Sequence, residues 1–214
     1  MIKACIFDLD GVLVDTAHYH FLAWKRLAKE FDYNLTEEIN EQLKGVSRMK
    51  SLDIVLHHAN LTLAENKKEE LADRKNGWFT EYVHAMKAEE LFPGVKEIFK
   101  KLKADGIQIA LASSSKNAQT IIDILGIRNE FDAVVDGNMI VHSKPDPEIF
   151  LLAAKKLGLL PVNCIVFEDA EAGVEAALRA GMKCVGVGNP AQLNKATVIV
   201  KSVAEFNYAD LQKV

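Results

Sequence analysis

Apolar positions along the chain alternate between two patterns. The first is a set of short, almost continuous apolar runs rich in β-branched residues: AlaCysIlePhe (4–7), IleGlnIleAlaLeuAla (107–112), AspAlaValVal (132–135), CysIleValPhe (164–167) and CysValGlyValGly (184–188). Such runs mark strands buried on both faces of a parallel sheet. The second pattern fills the gaps. VKEIFKKLKADG (95–106) and EIFLLAAKKLGL (148–159) carry apolar residues at helical spacing and end in Gly106 and Gly158, which suit helix C-termini. Strand and helix in alternation predict a doubly wound α/β domain with a parallel sheet.

One connection is far too long for that scheme. Residues 8–106 separate the first strand from the second, where a crossover needs far fewer. The excess is patterned. TAHYHFLAWKRLAKEF (16–31), TEEINEQLKG (36–45), SRMKSLDIVLHHA (47–59) and the run 64–86 all have amphipathic helical periodicity, with Trp24 and Trp78 at apolar positions. The expectation is a small helical domain, residues 16–90, inserted into an α/β domain made of residues 1–15 and 91–214. Linkers near Val14–Thr16 and Glu90–Gly94 would join the two, the second carrying the turn-forming LeuPheProGly. A helical lid on two linkers can open and close over whatever sits at the strand ends.

Composition narrows the partners. With 49% hydrophobic and 26% charged residues the chain is that of an ordinary soluble protein. A net charge of -4 gives no basic footprint for nucleic acid and no polybasic surface for anionic lipid. No apolar run approaches the roughly 20 residues that span a bilayer. The N-terminal run meets Asp8 and Asp10 too early for a signal-peptide core, so a cytoplasmic protein is expected. Nothing demands a dimer, and a monomer acting on a small molecule is expected. Cys5, Cys164 and Cys184 each lie within an apolar run without metal-binding spacing, and read as small core residues.

The chemistry gathers at the strand ends, outside which ligands bind in doubly wound sheets. Asp8 and Asp10 close the first strand, Ser113, Ser114 and Ser115 the second, and Glu168 and Asp169 the fourth; Lys144 falls between the third strand and the next helix. Four carboxyls so placed need a hard divalent cation, and all-oxygen ligation points to Mg²⁺. The hydroxyls of AlaSerSerSerLysAsn (112–117) stand at a helix N-terminus, where free N–H groups suit phosphate, and Lys144 supplies a positive charge. Carboxylate, hydroxyl, ammonium and cation together suggest phosphoryl transfer.

PheAspLeuAspGly on the first strand, Ser after the second, LysPro after the third and GluAsp closing the fourth resemble the haloacid dehalogenase (HAD) superfamily. The likeness covers the whole chain. It implies a Rossmann-like core with an inserted helical cap, Asp8 as a nucleophile that forms an aspartyl phosphate, and Asp10 as general acid and base. Ser113 and Lys144 would hold the transferring phosphoryl. Mg²⁺ would sit on Asp8, the backbone carbonyl of Asp10 and Asp169, with Glu168 in or beside its shell.

Four further stretches, DTAHYHFLAW (15–24), LKGVSR (43–48), RKN (74–76) and SSSKN (113–117), resemble the β-phosphoglucomutase branch of that superfamily. Those enzymes interconvert β-D-glucose 1-phosphate and glucose 6-phosphate through a β-glucose 1,6-bisphosphate. The resemblance implies that Thr16 and His20 tune and orient Asp10. It implies substrate contacts from Leu43, Lys44, Gly45, Ser47, Arg48, Ser51 and Lys75. Arg48, Ser115, Lys116 and Asn117 would serve the phosphate that is not transferred. A sugar-phosphate phosphatase of the same fold is the alternative reading. A phospho-accepting signalling domain is a third, disfavoured because its acceptor aspartate closes a later strand and it carries no helical lid.

Overall fold

A computed structural model describes residues 1–43 and 46–212. The five apolar runs form β1 (Ala4–Phe7), β2 (Gln108–Ala112), β3 (Ala133–Val135), β4 (Cys164–Glu168) and β5 (Lys183–Val187). A sixth strand, β6 (Val198–Val200), adds an edge that the apolar pattern did not announce. All six run parallel in the order β3-β2-β1-β4-β5-β6, so the direction of winding reverses between β1 and β4. That switch point is where a doubly wound sheet opens a crevice beyond its carboxyl ends.

Helices cover both faces. On one side α5 (Val95–Ala104) and α6 (Ala118–Ile124) pack on Phe7, Ile109, Leu111 and Phe167. On the other, α7 (Glu148–Leu157) and α8 (Glu171–Arg179) pack on Ile6, Ala110, Val135 and Val166. Phe7 stacks on Phe167 at 4.6 Å and meets Phe99 edge-on at 5.2 Å, directly beneath the β1 carboxyl end. A buried aromatic contributes about 1.5–3 kcal/mol, so this cluster anchors the strand end that carries the acids. Cys5 is buried on this face of the sheet and Cys164 and Cys184 on the other, and burial pushes all three thiols up.

The long connection holds α1 (Ala17–Lys29), α2 (Glu37–Glu41), α3 (Arg48–His58) and α4 (Glu65–His84). Trp24, Leu27, Leu35, Leu52, Val55, Leu56 and Leu71 form a cluster of their own. Thr36 and Ser47 cap α2 and α3 through their hydroxyls, which fixes where each helix begins. At its base the insert shares Ala23, Phe79, Val83 and Met86 with the core of the sheet. The two linkers lie side by side: Val14 and Leu91 form an antiparallel bridge, and Phe92 N–H donates to the Leu13 carbonyl at 2.8 Å. The Tyr19 hydroxyl donates to Glu90 at 2.7 Å, tying α1 to the second linker. Among the described residues no helix is long and apolar enough to cross a membrane.

Candidate active site

β1 ends at Phe7, and the chain then turns through Asp8 to Val14 with Gly11 at a positive φ of 80°. Asp10 N–H donates to Asp8 Oδ2 at 3.0 Å, so the first acid braces the turn that presents the second. Both acids face a cleft of about 500 Å³ between the sheet and the insert. Across the switch point, Glu168 closes β4 and Asp169 follows it. Carboxylate oxygens of Asp8, Glu168 and Asp169 lie within 4.8 Å of one another.

Lys144 reaches this cluster from the loop after β3. Its ammonium is buried and donates to Asp8 Oδ1 at 2.5 Å and Glu168 Oε2 at 2.8 Å. Burial works against that charge, but the two carboxylates outweigh it and hold the lysine above its ordinary value. Burial pushes Glu168 up to about 7, against the pull of Lys144. One ammonium cannot balance three carboxylates, and a hard cation with oxygen ligands suits the remaining charge. Two glycines make the cluster possible. A Cβ on Gly11 would stand 2.1 Å from Asp169 Oδ2, and one on Gly173 would stand 2.0 Å from Glu168 Cδ. The donor set and the clearance around it fit a divalent metal.

Asp10 is half-buried as a residue, but its Oδ1 is enclosed. Among the described residues, Asp10 Oδ1 and Thr16 Oγ1 are the buried side-chain oxygens left without a hydrogen bond. Burial, reinforced by the Asp8 carboxylate, pushes Asp10 up to about 7 against the pull of Lys144. A carboxyl in that range can both give and take a proton at neutral pH.

The residues predicted for phosphate binding fall into two layers. Ser113 is buried under the cleft floor, where its hydroxyl accepts from Ser115 N–H at 3.1 Å. Ser115, Lys116 and Asn117 line the cleft, and Ser115 Oγ accepts from Asn117 N–H at 3.2 Å. The loop after β3 holds this turn from below. Gly137 N–H donates to the Ser115 carbonyl, Asn138 Nδ2 donates to the Lys116 carbonyl, and buried Asp136 accepts from Asn138 N–H and Gln119.

The insert forms the opposite wall. His20, Leu43, Ser47, Arg48 and Ser51 line the cleft. The Ser51 hydroxyl donates to the Ser47 carbonyl at 3.1 Å, one turn back along α3. Lys44 and Gly45, also expected to touch substrate, lie outside the described residues. Lys75 and Thr16 do not line the cleft; both are buried behind its wall. Lys75 Nζ lies 2.7 Å from His20 Nδ1, over the rings of Trp24 and Phe79, and His20 stacks on Phe79. Burial, reinforced by Lys75 and Arg48, holds the His20 imidazole well below its ordinary value, and burial reinforced by Arg48 does the same to the Lys75 ammonium. Sequence reasoning missed Asn76, Asp73, Glu69 and Asn40, which line the cleft from α4 and α2. Only Asn76 left a trace, as the last residue of the ArgLysAsn stretch.

Residues 2–181 match the haloacid dehalogenase-like hydrolase family. A β-phosphoglucomutase of Bacillus subtilis is 43% identical over 206 residues, covering 95% of this chain and 91% of the relative. A phosphorylated-carbohydrates phosphatase of Thermotoga maritima is 33% identical, covering 94% of this chain and 93% of the relative. The crystal structure of a β-phosphoglucomutase from Clostridium difficile superposes with a TM-score of 0.96 at 40% identity, covering 100% of this chain and 96% of the other. The chain belongs to the haloacid dehalogenase-like hydrolase family.

Proposed function

We propose that this member of the haloacid dehalogenase-like hydrolase family interconverts β-D-glucose 1-phosphate and glucose 6-phosphate by way of β-glucose 1,6-bisphosphate. It does so as a Mg²⁺-dependent cytoplasmic monomer with no nucleic-acid or membrane partner. The observation that carries this reading is a cleft with two unlike groups of side chains. Its lining includes the acids Asp8, Asp10 and Asp169 and, as a separate hydrogen-bonded group, Arg48, Asn76 and Asn117, with Lys116 beside Asn117 in sequence. A substrate phosphorylated at both ends needs two such sites, and a forked guanidinium suits the phosphate that stays put.

In the reaction an Asp8 oxygen forms a bond to phosphorus while the bond from phosphorus to the sugar oxygen breaks. Asp10 supplies the proton that the departing oxygen needs. In the return step Asp10 takes the proton of the other sugar hydroxyl as that oxygen attacks the aspartyl phosphate. Lys144 and Ser113 hold the moving phosphoryl. The family resemblance gives Thr16 and His20 the orienting of Asp10, although here Asp10 Oδ1 and Thr16 Oγ1 make no hydrogen bond and His20 Nδ1 meets Lys75. Asp8, the Asp10 carbonyl, Asp169 and Glu168 would hold Mg²⁺, which when bound offsets charge on the transferring group. The bisphosphate must turn end for end, so the lid formed by the insert closes on a distal phosphate in either orientation.

The second reading, a sugar-phosphate phosphatase, is favoured by the likeness to the Thermotoga phosphatase. One experiment separates them: incubation with Mg²⁺, β-glucose 1-phosphate and a trace of bisphosphate. Glucose 6-phosphate well in excess of free phosphate is expected. Free phosphate alone would make the chain a phosphatase.

A further inference from the structure

Asn76 joins the two walls of the cleft through a single atom. Its side-chain Oδ1 accepts from Arg48 Nη2 at 2.8 Å, within the insert, and from Asn117 Nδ2 at 2.9 Å, from the core. The donors settle the orientation of both amides, since a guanidinium can only donate and Asn117 must then offer its NH₂. Asn117 stands at the N-cap position of α6, where an asparagine ordinarily caps its own helix. It makes no such bond and reaches across the cleft instead. Arg48 is held on its other side by Asp73, at 3.4 Å.

One oxygen that accepts two N–H groups, one of them cationic, is what an oxygen of a bound phosphate does. We propose that Asn76 is a positioning residue whose amide oxygen holds the place of a phosphate oxygen, keeping Arg48 and Asn117 in register across the cleft for the phosphate that is not transferred. This deepens the proposed function and rests on it for the identity of the sugar phosphate. The incoming anion takes over two donors already at the right spacing, so less ordering is lost on binding.

The test compares Asn76→Ala with Asn76→Asp; neither side chain disfavours the interior of α4 strongly. Removing the organising acceptor is expected to raise KM for β-glucose 1-phosphate about tenfold, the scale of one hydrogen bond to a charged group, with kcat changing far less. Asn76→Asp keeps the acceptor but adds a negative charge where the phosphate enters, and is expected to raise KM further still. A residue that merely supports the fold would give the opposite order, with the near-isosteric aspartate close to the parent, and that order overturns the proposal. So does an unchanged KM in Asn76→Ala. Two readouts keep this separate from the mutase reading. Calorimetric binding of glucose 6-phosphate should follow the same order even if the enzyme releases only free phosphate. With no ligand added, the Asn117 side-chain amide signals in NMR should shift and exchange faster in Asn76→Ala. Signals that stay as in the parent overturn the bridge whatever the sugar.

Discussion

The ammonium of Lys144 lies 2.5 Å from Oδ1 of Asp8, wholly buried, with Glu168 on its other side. Lys144→Met would leave those carboxylates unpaired in a dry site. Breaking a buried pair from one side costs about 3–5 kcal/mol, so urea unfolding at pH 8 should show a loss of that size together with loss of turnover. A variant as stable as the parent would mean that water or a metal takes the place of the ammonium.

Asp8→Asn should abolish turnover and leave the circular dichroism spectrum intact, because only a carboxylate can act as the nucleophile. Asp10→Ala should slow transfer to and from sugar hydroxyls by roughly 10²–10⁴-fold, the range of general acid–base catalysis. Parent-like rates in Asp10→Ala would limit that residue to a structural or metal-binding part.

Arg48→Ala removes the forked cation of the distal wall. The loss should be about ten- to a hundredfold with glucose 1-phosphate, corresponding to roughly 1.5–3 kcal/mol for a charge-assisted contact. Phosphorylation of Asp8 by acetyl phosphate, which has no second phosphate to grip, should fall much less. Equal losses with both donors would show that Arg48 only supports the insert.

Chelation should stop both reactions, since a phosphate dianion would then face a cluster of three carboxylates whose charge the Lys144 ammonium offsets only in part. Gly11→Ala should act on the same site more gently. Its Cβ would meet Asp169 Oδ2 at 2.1 Å, and the backbone there has a positive φ. The Mg²⁺ concentration for half-maximal rate should rise by about 10–100-fold, the usual effect of disturbing a ligand's support. An unchanged Mg²⁺ dependence would remove Asp169 from the metal site.

The His20 imidazole is held below its ordinary value, so the folded protein keeps it neutral where the unfolded chain takes up a proton. The unfolded state then binds more protons below about pH 6.5, and stability falls as pH falls through that region. His20→Gln should lose this contribution. Its melting temperature should decline less between pH 6.5 and 5 than that of the parent, and parallel declines would refute the assignment.

Much of the architecture was legible along the chain because it is written in local patterns. Continuous apolar runs mark strands covered on both faces, and all five runs became adjacent or near-adjacent strands of one sheet. The excess length between residues 7 and 107, with its helical periodicity, announced the helices α1 to α4 that fill it. Acids and a lysine just past strand ends were readable as one cluster because the carboxyl ends of parallel strands share one edge. The edge strand β6 was not readable. Its three residues are only half-buried, and a short pattern of that kind does not separate strand from loop.

What stands opposite what was decided only by the tertiary structure. Helical spacing indicates that Lys75 and Asn76 occupy different sides of α4, but not that one turns back to His20 while the other meets Asn117 across the cleft. Nor does it show that Thr16 lies behind the wall, or that Gly11 and Gly173 are clearances for Asp169 and Glu168. Periodicity records which face of an element is buried, a property of neighbours along the chain. A cleft is made by two packed units approaching each other, and its contacts join residues that no local pattern connects.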